Sequence, residues 1–136
     1  MQIAFIGDIH GRVFHTLAMC GKLQSSKRYS IDAFIQLGDT GFFPDLDKID
    51  KATRKFSASD PTELDFHKLL NLSGRESRSI EVLTERMGAH VQFIRGNHED
   101  MEWLKERRPM PIVPSLLINS LSSNTSPMAQ STNMGS

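Results

Sequence analysis

Three short stretches hold the residues with chemistry to offer: Gly7-Asp8-Ile9-His10-Gly11, Gly38-Asp39-Thr40 and Gly96-Asn97-His98-Glu99. Asp8 and His10 are one residue apart, so an extended strand end can aim both at one ion, with Gly7 and Gly11 letting the backbone turn on either side. A carboxylate beside a neutral imidazole suits manganese, iron or zinc better than calcium. Asp39 adds a carboxylate whose two oxygens can bridge two ions. Asn97 adds a neutral amide oxygen that can hold a second cation without further negative charge. Two divalent metal ions about 3.5 to 4 Å apart would activate a shared water as hydroxide and clamp phosphoryl oxygens during in-line attack on phosphorus. That chemistry is phosphate ester hydrolysis. His98, when protonated, would assist the departing oxygen as general acid. Arg12 and Arg95 flank two of the stretches, and their paired donors are suited to phosphate oxygens.

Side chains so far apart in sequence can meet only if the fold delivers them to one place. Each stretch follows an apolar run: Gln2 to Ile6, Ile31 to Leu37 and His90 to Ile94. These read as strands. Between the first two, Phe14, Leu17, Ala18, Gly21 and Leu23 recur at helical spacing, although a mid-helix glycine weakens that pattern. Asp60-Pro61-Thr62-Glu63 opens a helix carrying Phe66, Leu69 and Leu70, and Ile80, Leu83 and Met87 form a stripe that Gly88 is placed to end. Strands alternating with helices predict an α/β fold, a parallel sheet joined by right-handed crossovers. All three stretches then emerge at the carboxyl edge, where open α/β sheets bind ligands. The charged segment 43–59 has no clear period and reads as an irregular insert with the position of a lid.

Length and composition narrow the field. A chain of 136 residues has room for one domain, and 38% hydrophobic with 24% charged residues is a globular balance. Sixteen basic residues offset sixteen acidic ones, so the charge argues against nucleic acid as a partner. No apolar run approaches the roughly 18 residues of a membrane span. The single Cys20 reads as a small buried hydrophobe, and a cytoplasmic protein is expected. From Pro109 to Ser136 there is no Asp, Glu, Lys or Arg, where about six or seven would be expected. Residues 1–114 therefore read as the folded domain and 115–136 as an uncharged, disordered tail.

In order and at strand ends, GDIHG, the Gly-Asp loop and GNHE resemble the calcineurin-like metallophosphoesterases. The resemblance covers roughly residues 1–114. It implies a sandwich of two sheets flanked by helices, with a two-ion centre in which Asp8 and His10 bind one ion, Asp39 bridges, Asn97 binds the other, and His98 is the catalytic acid acting on a phosphate ester. Two departures stand out. The second loop continues Thr40-Gly41-Phe42-Phe43 and lacks the Asp-Arg-Gly of the protein serine/threonine phosphatases; it looks more like small bacterial or phage members. The Gly-His-x-His loop of the family's second half does not follow His98, which implies a partial, N-terminal half of the fold with an exposed sheet edge open to self-association. The alternative to an active hydrolase is then a truncated, non-catalytic fragment that binds at most one metal or a partner. A nucleotide-binding module is disfavoured, since no G-x-G-x-x-G follows the first strand. His15, His67 and His90 read as helix and strand residues, Glu99 and Asp100 as acids in the first turn of a helix, and Trp103 and Leu104 as packing residues.

Overall fold

The computed structural model describes residues 1–106; the expected disordered tail lies outside the described residues. Strands β1 (Ile3–Ile6), β2 (Ala33–Gln36) and β3 (His90–Phe93) pair in parallel in the order β1-β2-β3. Helix α1 (Val13–Ser25) connects β1 to β2. A 3₁₀ turn (Leu46–Lys48), α2 (Lys51–Ser57), a second 3₁₀ turn (Pro61–Leu64), α3 (Asp65–Leu70) and α4 (Gly74–Met87) connect β2 to β3, and α5 (Met101–Glu106) follows. This is the α/β architecture read from the sequence, with parallel strands and helical crossovers.

Neighbouring strands in sequential order send their crossovers to one face. The burial pattern follows from that. Cys20 from α1 and Met87 from α4 bury Phe34 and Val91, with Ala4, Ile6 and Phe93 packed against them. On the opposite face Ile3 and Phe5 are exposed, Phe5 by 65%. A second cluster, of Ile9, Val13, Phe42, Phe66 and Leu69, lies toward the carboxyl ends of the strands and is shared with Trp103 and Leu104. It draws residues from the loops after β1 and β2, so the loops are anchored in the core. Burial pushes the Cys20 thiol up to about 11, which leaves it inert near neutrality.

Two differences from the sequence reading have physical reasons. Segment 43–59 is not wholly irregular, because it contains α2. That helix shows no apolar stripe, since Thr53 is its one buried residue, and its start depends on Asp50, whose carboxylate accepts the Thr53 N–H at 2.7 Å. Second, Gly21 does not interrupt α1. A side chain there would stand 2.7 Å from Cδ1 of Leu83, so the glycine lets α1 and α4 approach closely. Asp60 caps a 3₁₀ turn that precedes α3 instead of opening the helix of Phe66 and Leu69 directly, and Gly88 ends α4 at φ 62° as expected.

Replacing Gly21 sets a helix-propensity gain of about 1 kcal/mol against overpacking of about 1 to 3 kcal/mol. Because a leucine terminus can yield to one methyl group, Gly21→Ala should leave stability within about 1 kcal/mol of the parent, whereas Gly21→Leu should lower the urea midpoint by an amount equivalent to about 1 to 3 kcal/mol.

Candidate functional site

The three loops are joined backbone to backbone. His10 and Ile9 donate their N–H groups to the carbonyl of Asp39 at 3.1 and 3.3 Å, and Gly11 donates to Thr40 at 2.6 Å. Beneath them the fully buried Gln36 satisfies its whole amide: Nε2 donates to the carbonyls of Gly7 and Gly38, while Oε1 accepts from Gly38 N and Thr40 Oγ1. One side chain at the end of β2 therefore ties the first loop to the second.

The second and third loops exchange carboxylates. Asp39 Oδ1 accepts the N–H groups of Asn97 and His98 at 2.9 and 3.1 Å. In return the buried Glu99 accepts from Thr40, Gly41 and Phe42 at 2.9, 2.9 and 2.8 Å. Hydrogen bonds to an ionised acceptor are the stronger kind, and five of them close this clasp. A side chain at Gly96 would collide with Asp39 N and Oδ1 at 2.2 Å, so only glycine permits the approach. Asp39 and His10 both have left-handed backbones, at φ 52° and 45°. Such conformations persist where surrounding bonds over-determine them, as the stitching does here.

Phe42 seats the second loop in the core, its ring edge-on to Phe66 at 4.8 Å and to Phe93 at 5.2 Å. The next residue, Phe43, stands perpendicular to the His98 ring at 5.6 Å. The position where the sequence departs from the phosphatase motif is thus occupied by a packing anchor.

Asp8 and His10 come together, with Oδ2 and Nε2 3.9 Å apart, and the His10 ring lies edge-on to that of His98 at 5.0 Å. Asn97 and Arg95 are exposed at the end of β3. The fold therefore delivers Asp8, His10, Asp39, Asn97 and His98 to one edge of the sheet. The Arg12 guanidinium donates to Asp60 at 2.8 and 3.0 Å and to Glu63 at 3.1 Å. His67 is also occupied elsewhere, donating Nδ1–H to the Pro44 carbonyl at 2.6 Å.

Sequence reasoning missed Gln36, Asp50, Thr53 and Glu99. Glu99 is not a first-turn acid. Asp100 takes the capping role instead, accepting from Trp103 N at 3.0 Å, which frees Glu99 to turn toward the second loop. Asp50 Oδ2 lies 2.8 Å from Nδ1 of His98, and Thr53 Oγ1 lies 2.7 Å from Nε2. The cap-like spacing of Asp50 and Thr53 was visible in the sequence, but their reach to His98 was not.

A family model, calcineurin-like phosphoesterase, matches residues 1–129. The chain belongs to this family. Neither a curated protein nor a solved structure matches it significantly. Calcineurin-like phosphoesterases generally bind divalent metals. The donors gathered at this edge have the right chemistry, carboxylate, imidazole and amide oxygen, but their convergence is incomplete. Among the described residues no three His, Cys, Asp or Glu side chains form a group able to hold a metal ion. Asp8 with His10 supplies two donors of a shell that needs more. No helix among the described residues is long and apolar enough to cross a membrane.

Removing the Glu99 carboxylate strands three N–H groups. Glu99→Ala should therefore cost on the order of 3 kcal/mol, read as a lower urea midpoint at constant slope. A second outcome concerns acid. The Thr62 hydroxyl, Arg12 and the Thr62 N–H hold the Asp60 carboxyl down at about 2. Its folded pKa lies below the unfolded value near 3.9, so its contribution is present above pH ~4 and is lost as pH falls toward 2. Asp60→Asn should flatten that limb of the stability curve between pH ~4 and ~2, as followed by denaturant titration at each pH.

Proposed function

We propose that this chain carries the N-terminal half of a metal-dependent phosphoric ester hydrolase site, with Asp8, His10, Asp39 and Asn97 as metal donors and His98 as the group that assists the departing oxygen. One observation carries the reading: the carboxylate clasp presents Asp39 and His98 from loops 59 residues apart as one unit, with the Asp8–His10 pair stitched to it. A divalent ion bound there would polarise a phosphoryl oxygen and supply a nucleophile from water. The residues themselves do the rest. Asp39 Oδ1 is committed to the two backbone donors, so Oδ2 would be the oxygen that serves as metal donor. The His10 ring against His98 limits where His98 can turn. Arg95, exposed beside the third loop, would meet a phosphate in this reading. Two ions of manganese, iron or zinc and a phosphate ester as substrate follow from this reading.

A rival reading keeps the fold and drops the reaction: a fragment that holds at most one ion. It is favoured by the lack of any three converging acidic, histidine or cysteine donors among the described residues. Calorimetric titration with manganese separates the two, since two sites support the hydrolase and a single weak site or none supports the fragment. For the hydrolase, manganese-dependent turnover of an aryl phosphate should fall at least 100-fold in both Asp39→Asn and His98→Ala, in line with the weight of a general acid. Asparagine keeps an acceptor for the clasp while removing the charge, so the Asp39→Asn protein should remain folded. Turnover unchanged in both variants overturns the assignment.

A further inference from the structure

The His98 ring is gripped at both nitrogens by the first turn of α2, a segment to which no role in the reaction has been attached. Asp50 Oδ2 lies 2.8 Å from Nδ1, while its Oδ1 accepts the Thr53 N–H at 2.7 Å. Thr53 Oγ1 lies 2.7 Å from Nε2, and Thr53 is 3% exposed. An ionised carboxylate can only accept, so a hydrogen shared across that 2.8 Å contact is carried by Nδ1. In the neutral ring Nε2 is then an acceptor, and it takes its hydrogen from the buried Thr53 hydroxyl. Every donor and acceptor in the set has a partner in this arrangement and in no other neutral one. Phe43 and His10 pack edge-on to the same ring and leave it little freedom to rotate.

We propose that Asp50 and Thr53 are positioning residues that set the tautomer and orientation of His98, Asp50 fixing hydrogen on Nδ1 and Thr53 occupying Nε2. The proposal rests on the reading of His98 as the group facing the departing oxygen. It adds a consequence for substrate: Thr53 Oγ1 sits on the nitrogen that must meet that oxygen, so a bound ester has to take the place of the threonine hydroxyl. Segment 43–59 thereby becomes part of the site.

Asp50 also caps α2, and the experiment must separate capping from positioning. Asparagine caps as well as aspartate, but with its Oδ1 on Thr53 N it turns an N–H group toward Nδ1. Exchanging a carboxylate for an amide beside a histidine is known to leave geometry intact and impose the wrong tautomer. The measurement is long-range proton–nitrogen NMR on the 15N-labelled full chain at pH 9, with His98 signals assigned through their loss in His98→Gln. The parent chain should show His98 with hydrogen on Nδ1. Asp50→Asn should invert this to Nε2, and Asp50→Ser, which keeps a cap without a partner for the ring, should give a mixture. Unchanged far-ultraviolet circular dichroism shows that α2 survives in each. Hydrogen on Nε2 in the parent chain overturns the proposal whether or not a variant folds, as does a folded Asp50→Asn protein that keeps hydrogen on Nδ1. Under the manganese-dependent assay Asp50→Asn should lower kcat by roughly 10²–10⁴-fold with KM little changed, because His98 donates from Nε2 as imidazolium and the amide no longer provides the carboxylate that balances that charge at Nδ1. An Asp50-dependent tautomer in a chain without turnover overturns the hydrolase reading and leaves the clamp standing; turnover with hydrogen on Nε2 does the reverse.

Discussion

The exchange of carboxylates between Asp39 and Glu99 is the constraint on which the site depends. Each acid leaves its own loop and binds backbone N–H groups of the other: two at Asn97 and His98, three at Thr40, Gly41 and Phe42. The loops follow adjacent parallel strands, β2 and β3, so the sheet brings them near each other and the clasp sets their relative position. Backbone donors at the ends of strands must be satisfied by something, since burying them unpaired costs as much as a lost hydrogen bond. Here two anions satisfy five of them. The same bonds hold Asp39 in a left-handed conformation that an aspartate tolerates but does not prefer.

The clasp also explains why the second loop can end in two phenylalanines. With Glu99 holding N–H groups 40 to 42, Phe42 is directed into the cluster around Phe66 and Phe93, while Phe43 turns to His98. Aromatic pairs of this geometry are worth about 0.5 to 1.5 kcal/mol beyond their burial, enough to make the loop part of the core. Rigid loops on a rigid sheet suit a site whose groups must keep a fixed relation to one another. The absence of three converging donors among the described residues lies in the side chains, since Asp8 is largely exposed while the backbones of His10, Asn97 and His98 are bonded to Asp39.

The segment between β2 and α3 changes meaning once the fold is known. As sequence it is a charged stretch without period; as structure it closes over His98 through Asp50 and Thr53 and reaches Glu102 through Lys48, at 3.5 Å. A surface ion pair of that kind contributes little beside the buried Thr53 at His98, the Pro44 carbonyl held by His67 and the Arg12 bonds to Asp60 and Glu63.

Much was legible in the sequence because it is written in local chemistry. Apolar runs ending in Gly-Asp or Gly-Asn marked the strands and the loops after them, Gly88 marked the end of α4, and parallel pairing placed Asp8, His10, Asp39, Asn97 and His98 at one edge. These follow from periodicity and from backbone geometry, which act over a few residues. What the tertiary structure decided is the partner of each polar side chain. Arg12 found Asp60 and Glu63, Gln36 tied two loops from inside an apolar strand, Glu99 turned back across 59 positions, and Asp50 reached His98. A charged or amide side chain carries no period and has several partners within reach along the chain. Which one it takes depends on which atoms are buried together, and only the packed fold determines that.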